Sequence, residues 1–148
     1  KQQTTAILDL PGGGSTVENC IGYATCTVEI VSQLLNTYSE NELKTKGVTI
    51  ITPTGSTGTH AGLLAGAEII KQQTNLNINI KGVSNRSESK NAKEKVYELT
   101  NNALTLIAPE IGTNIQLKDA NNVFVNYAYR CKDSSGKPRY SAIDTEKL

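Results

Sequence analysis

This chain of 148 residues has no methionine and no tryptophan, one phenylalanine, one histidine and three cysteines. A primary translation product needs an initiator, so the sequence is expected to be a fragment, a processed chain or an internal segment. Cys20, Cys26 and Cys131 form no C-x-x-C pair and no metal-ligand spacing, which excludes a zinc framework. Cys20 and Cys26 fall about two turns apart on a straight helix, too far to bridge. Three thiols without a framework favour a reducing compartment, so a cytoplasmic location is expected. Asn85-Arg86-Ser87 matches a glycosylation sequon, a common chance pattern. No apolar run approaches membrane-spanning length, and no secretory leader is visible. Fifteen basic against fourteen acidic residues leave a formal charge of +1, which gives no electrostatic footprint for nucleic acid. The length suits a single domain, residues 1–148.

Around one stretch, Val48 to Glu68, the chain is organised. Val48-Thr49-Ile50-Ile51 is a β-branched run with the composition of a buried strand. Thr54-Gly55-Ser56-Thr57-Gly58-Thr59 follows as a loop of small and hydroxyl residues. Ala61 to Ile70 is then rich in helix formers, with Leu63, Leu64, Ala67 and Ile70 at helical spacing. Glycines allow a sharp turn and close backbone approach. A helix N-terminus presents unpaired N–H groups and the positive end of its dipole, the usual seat of a phosphate. Gly55, Ser56, Thr57, Gly58 and Thr59 are the candidate binding residues. Glycine spacing alone leaves a plain capped turn and a phosphate site equally open. The loop has no Gly-Lys-Ser/Thr and no G-x-G-x-x-G, so neither nucleotide signature applies.

The flanking segments supply an α/β pattern. Ala6 to Leu10 is a short strand candidate, and Pro11-Gly12-Gly13-Gly14 reads as a plain turn. Ser15 or Thr16 caps a helix reaching about Tyr38, with Ile21, Tyr23, Ala24, Val28, Val31, Leu34 and Leu35 as its apolar stripe. Ser39 to Gly47 reads as a polar connection. Leu76 to Val83 is a second strand, so Val48–Ile51 and Ile78–Val83 are expected to lie adjacent and parallel with the helix after Thr59 packed across them. Ser89 to Leu106 is a further amphipathic helix, stopped near Pro109. Its Lys90, Lys93, Glu94, Lys95 and Glu98 cluster reads as a solvated face. Ile115–Leu117 and Val123–Val125 are short extended pieces.

Gly55-Ser56-Thr57-Gly58-Thr59-His60-Ala61-Gly62-Leu63 resembles the phosphate-binding loop of the fold-type-II pyridoxal-phosphate enzymes. Within them it is similar to the D-cysteine desulfhydrase and 1-aminocyclopropane-1-carboxylate deaminase family. Ile21-Gly22-Tyr23 and Lys81-Gly82-Val83-Ser84-Asn85-Arg86 match further segments of that family. Gly136 to Glu146 resembles a stretch that borders its active site, with Arg139 in place of a glycine and no proline before Thr145. The resemblance implies a three-layer α/β fold, a parallel sheet with helices on both faces. It implies pyridoxal 5'-phosphate as cofactor, held at Gly55 to Thr59, and a small amino acid as substrate. The reaction implied is that of a lyase or deaminase, such as D-cysteine to pyruvate, sulfide and ammonia.

The family's cofactor-linking lysine lies in an N-K-x-R-K-L-type context that this chain does not contain. No catalytic residue and no metal ligand is therefore assigned, and the chain corresponds to the central portion of such an enzyme. A complementary chain or a homodimer is the partner this implies, with no nucleic acid or membrane. The alternative is a non-catalytic α/β domain that binds phosphate or a protein partner. His60, the only histidine, reads as a loop-positioning residue rather than a base. Tyr127, Tyr129 and Tyr140 read as packing residues, with Tyr140 having the best claim on the pocket. No cysteine has a histidine partner that would make it a nucleophile.

Overall fold

The computed structural model describes residues 12–84, 91–127 and 135. The expected strand at Ala6 to Leu10, the Asn85–Arg86 match, Tyr129, Cys131 and the Gly136 to Glu146 stretch lie outside these residues. Four helices, α1 (Val17–Leu35), α2 (Glu40–Lys46), α3 (Gly58–Thr74) and α4 (Ala92–Ile111), accompany three strands, β1 (Val48–Thr54), β2 (Ile78–Ser84) and β3 (Phe124–Asn126). Both β1–β2 and β2–β3 are parallel pairs, with Val48 opposite Ile78 and Gly82 opposite Val125. The expected β1–α3–β2 unit is therefore present, and α4 adds a second crossover of the same kind.

Strand order runs one way, β1-β2-β3. Right-handed crossovers laid down in one direction put their helices on the same face of the sheet. Burial agrees with this. Val48, Thr52 and Thr54 of β1 and Ile78, Ile80, Gly82 and Ser84 of β2 are buried, whereas Thr49, Ile51, Pro53, Asn79 and Lys81 between them are exposed. A second helical layer requires a reversal of strand order. The described strands contain none, so among the described residues the helices cover one face. The α/β class and the parallel sheet are present; helices on both faces are not seen in this part of the chain.

Helix α3 is the centre of the molecule. Its residues 60–67 are all buried, including the expected Leu63, Leu64 and Ala67. A helix buried nearly all round needs apolar or small residues on every side, and His60-Ala-Gly-Leu-Leu-Ala-Gly-Ala supplies them. A Cβ on Gly62 would stand 2.5 Å from the Cys20 carbonyl oxygen and from Tyr23 Cβ. One on Gly66 would stand 2.5 Å from the Ala24 carbonyl oxygen. These two glycines, one turn apart, let α1 lie directly on α3. Threonines on the neighbouring helices tie the contact. Thr27 Oγ1 of α1 donates to the Leu63 carbonyl at 3.0 Å, and Thr100 Oγ1 of α4 donates to the Ala61 carbonyl at 3.2 Å.

Two boundaries differ from expectation. Ser39 to Gly47 is not a bare connection but holds α2, started by a capping box in which Ser39 and Glu42 exchange hydrogen bonds and anchored by buried Leu43. The S-x-x-E pattern is visible in Ser39-Glu40-Asn41-Glu42. Helix α4 runs past Leu106 and through Pro109 to Ile111. Proline there forfeits one backbone bond near the helix end. Gly112, at φ 66°, then closes the helix by donating its N–H to the Ala108 carbonyl. Ile115 to Leu117 forms no strand, although Ile115 and Leu117 are buried. Asn101 holds that segment by accepting from the Leu117 N–H at 2.8 Å.

Candidate functional site

The loop between β1 and α3 lies at the carboxyl end of the sheet, where open α/β folds bind ligands. Gly55, Ser56 and Thr57 form its bend, while Gly58 and Thr59 already belong to the first turn of α3. The first intrahelical bond runs from the Ala61 N–H to the Thr57 carbonyl. The amides of Gly58, Thr59 and His60 precede it and have no intrahelical acceptor. Thr57 occupies the N-cap position with φ 81° and makes no side-chain capping bond. A β-branched residue at positive φ is a genuine backbone outlier, with a cost of about 1–3 kcal/mol. Such strain concentrates where a loop is shaped for a ligand.

A second glycine-rich segment supports this loop. Gly12–Gly14 forms a short 3₁₀ turn, and Thr16 caps α1 by accepting from the Asn19 N–H. Ser15, between them, bridges the two loops. Its hydroxyl donates to the Ser56 carbonyl at 2.7 Å and accepts the Gly58 N–H at 3.3 Å. Ser56 Oγ donates in turn to the Gly13 carbonyl at 3.3 Å. The turn at Gly12–Gly14 thus packs against the candidate loop and holds its shape, a role beyond the plain turn expected from sequence. It also means that the Gly58 amide is not free, because Ser15 uses it.

Behind the loop sits a buried polar cluster. His60 has no exposed surface, and its Nδ1 lies 3.0 Å from Thr54 Oγ1. Its ring covers Gly82, where a Cβ would stand 2.5 Å from Nδ1. Its Nε2 has no hydrogen-bond partner among the described residues. Burial lowers the His60 pKa from 6.5 to about 4, so the ring is neutral at pH 7. A neutral, enclosed ring fits the positioning role read from the sequence. Cys20 is likewise enclosed beneath the loop. Its thiol donates to the Gly58 carbonyl at 3.5 Å, and burial pushes its pKa up to about 11, which makes it a poor nucleophile. Tyr127 packs against the core and is half-buried.

A cavity of about 310 Å³ opens beside the loop. Ser15, Ser56 and Thr57 line one side, and Lys95, Glu98, Leu99 and Asn102 of α4 line the other. The helices that border it, α3 and α4, lack side-chain N-caps, whereas α1 and α2 have them. The structure therefore brings Ser56 and Thr57 to one cavity and adds Ser15 and Lys95, which sequence reasoning missed. The signal was available. In successive βαβ units the first turns of each helix lie at the carboxyl end of the sheet, so the start of α4 had to fall beside the loop that starts α3. A larger cavity of about 530 Å³, with Lys71, Asn77, Lys118 and Phe124 in its lining, opens near the starts of β2 and β3. That is the end of a parallel sheet which seldom holds the ligand.

Among the described residues no group of three or more His, Cys, Asp or Glu is placed to hold a metal ion. No described helix is long and apolar enough to cross a membrane. Compared with known protein families and with curated proteins, the chain has no match in either.

Proposed function

We propose that the loop Gly55 to Thr59 anchors the phosphate of pyridoxal 5'-phosphate, in the central portion of a lyase or deaminase acting on a small amino acid. The observation that carries the reading is Thr57. It is a strained, nearly buried N-cap residue whose hydroxyl makes no hydrogen bond among the described residues and which lines the cavity at the start of α3. Strain and an unused hydroxyl at one position both find a purpose if an anion completes the cap.

The residues present suit a phosphate. The Thr59 and His60 amides at the α3 N-terminus and the hydroxyls of Thr57 and Thr59 are donors, and the helix dipole adds positive potential. Bound pyridoxal phosphate supplies an electron sink for a substrate carbanion. This chain's part is to fix the phosphate and so orient the ring, with Ser15 holding the loop's shape. The cofactor-linking lysine comes from another segment or chain. With this reading go a three-layer arrangement completed by chain beyond the described residues, a cytoplasmic location, and a homodimer or complementary chain. A D-cysteine substrate would leave as pyruvate, sulfide and ammonia.

The absence of the family's lysine context favours a second reading, a non-catalytic domain that binds phosphate alone. Calorimetric titration of the chain and of Gly58→Val with inorganic phosphate and with pyridoxal phosphate tests the anchor. A Cβ at Gly58 would already stand 3.0 Å from Ser15 Cα, so valine displaces the loop. Equal affinity in both proteins rejects the anchor. Multiple-turnover sulfide release from D-cysteine by this chain alone would reject the missing-lysine argument and with it the second reading.

A further inference from the structure

We infer that Lys95 of α4 supplies the positive charge of the phosphate site, so that the loop and α4 together form one phosphoryl-binding cavity. The inference rests on the reading of Gly55 to Thr59 as a phosphate anchor and adds the residue that gives it charge. The expected binding residues, Gly55 to Thr59, are all neutral. A phosphoryl dianion held only by neutral donors lacks a counter-charge, and a lysine is the common point-charge solution.

Three observations single out Lys95. It lines the cavity opposite Ser56 and Thr57 and is the only cationic side chain among the described residues that line it. It makes no ion pair among the described residues, although Glu98 stands one turn away on the same wall. It also sits fourth in α4, at the end of the helix where the dipole disfavours a cation. A lysine at a helix start is locally unfavourable, and breaches of a local rule concentrate at functional positions. An anion in the cavity resolves the conflict, because it faces the start of α3 and the ammonium group at once.

Thr57 independently points to a ligand here. It is 7% exposed, its hydroxyl has no partner among the described residues, and it lines this cavity. Glu98 opposes the same anion. Lys95 and Glu98 therefore set the site's affinity in opposite directions, and a phosphate monoester is the class of ligand whose charge calls for the lysine.

The test is calorimetric titration of the whole chain with inorganic phosphate, pyridoxal phosphate and phosphate-free pyridoxal, at low and at high salt. The variants are Lys95→Gln, Lys95→Arg and Glu98→Gln. Both positions are exposed, and thermal melts check that each variant folds. Wild type is expected to bind both phosphorylated probes and not pyridoxal. Lys95→Gln should weaken both by about tenfold and flatten the salt dependence. Lys95→Arg should stay within about threefold, and Glu98→Gln should tighten binding by about threefold. Phosphate binding by wild type with unchanged affinity in Lys95→Gln overturns the role of Lys95 and leaves the anchor standing. Failure of wild type to bind either phosphorylated probe overturns the anchor, and the inference with it.

Discussion

Replacing Gly66 by alanine sets two effects of known size against each other. Alanine is the better helix former by about 1 kcal/mol, so intrinsic preference alone predicts a more stable protein. Packing predicts the reverse. The new Cβ would stand 2.5 Å from the Ala24 carbonyl oxygen, 2.7 Å from Thr27 Cβ and 2.9 Å from Thr27 Oγ1. The first of these is about 0.9 Å inside ordinary contact, and it is made by backbone, which cannot swing aside. Relief requires α1 to move off α3. Overpacking of this kind costs about 1–3 kcal/mol. The move also stretches the 3.0 Å bond from Thr27 Oγ1 to the Leu63 carbonyl, worth about 1 kcal/mol. The net expectation is a loss of about 1–3 kcal/mol, or a melting temperature lower by about 3–10 °C at this chain length. Gly22→Ala is the control. Gly22 is exposed on α1 and a Cβ there meets nothing within 4 Å, so only the propensity gain of about 1 kcal/mol remains and the melt should rise by about 2–4 °C. Thermal and urea unfolding of both variants measure the pair. If Gly66→Ala gains stability as Gly22→Ala does, α1 does not lie on α3 as described.

His60 gives a pH signature. Its folded pKa of about 4 lies below the unfolded 6.5, so the unfolded chain takes up the proton first. The stability of neutral His60 is full above pH 6.5 and is lost as pH falls towards 4, by up to about 3 kcal/mol. Urea melts across that window should show the loss, and His60→Gln should flatten it. Gly82→Ala drives a Cβ into Thr54 and the His60 ring, which are both fully buried, and should destabilise by about 2 kcal/mol or more in the same melts. Thr57→Gly removes the strain of a threonine at φ 81°, worth about 1–3 kcal/mol, against about 1 kcal/mol of added chain flexibility. The variant should be as stable as wild type or more so while binding phosphate less tightly, as melts and calorimetry would show together. Ser39→Ala removes the hydroxyl that accepts the Glu42 N–H while the backbone N–H of residue 39 can still donate to Glu42, and should cost about 1 kcal/mol, read by urea unfolding.

What was legible in the sequence followed from periodicity and local chemistry. The β-branched run at Val48, the helix after Thr59 and the alternation at Leu76 to Ile80 fixed a parallel βαβ unit because each has one strong period. A cap of α1 at Ser15 or Thr16 was legible for the same local reason, and Thr16 fills it. Lys95 was not, because its role depends on which helix start stands beside which loop, a matter of topology that a count of charges along α4 does not contain. Ser15 was hidden similarly, since its partners Ser56 and Gly58 lie 41 and 43 positions away. The helix at Glu40–Lys46 was overlooked although its capping box was in plain view. Six polar residues around one buried leucine carry almost no periodic signal. Pro109 misled for a different reason. It forbids a backbone donor, but near a helix end that donor matters little once Gly112 closes the turn.

The bridge formed by Ser15 also decides when the loop can exist during folding. Its hydroxyl joins segments more than forty residues apart, so the loop acquires its shape only after α1 has docked on α3. Closing so long a loop carries an entropy cost that local structure cannot offset before docking. The Gly58 amide proton is consequently a reporter of that docking. Its exchange with solvent deuterium should follow opening of the α1–α3 contact rather than fraying of a helix end. An amide in the first turn of a helix ordinarily exchanges fast. Slow exchange at this one position would mark the loop as a late and cooperative product of the whole fold.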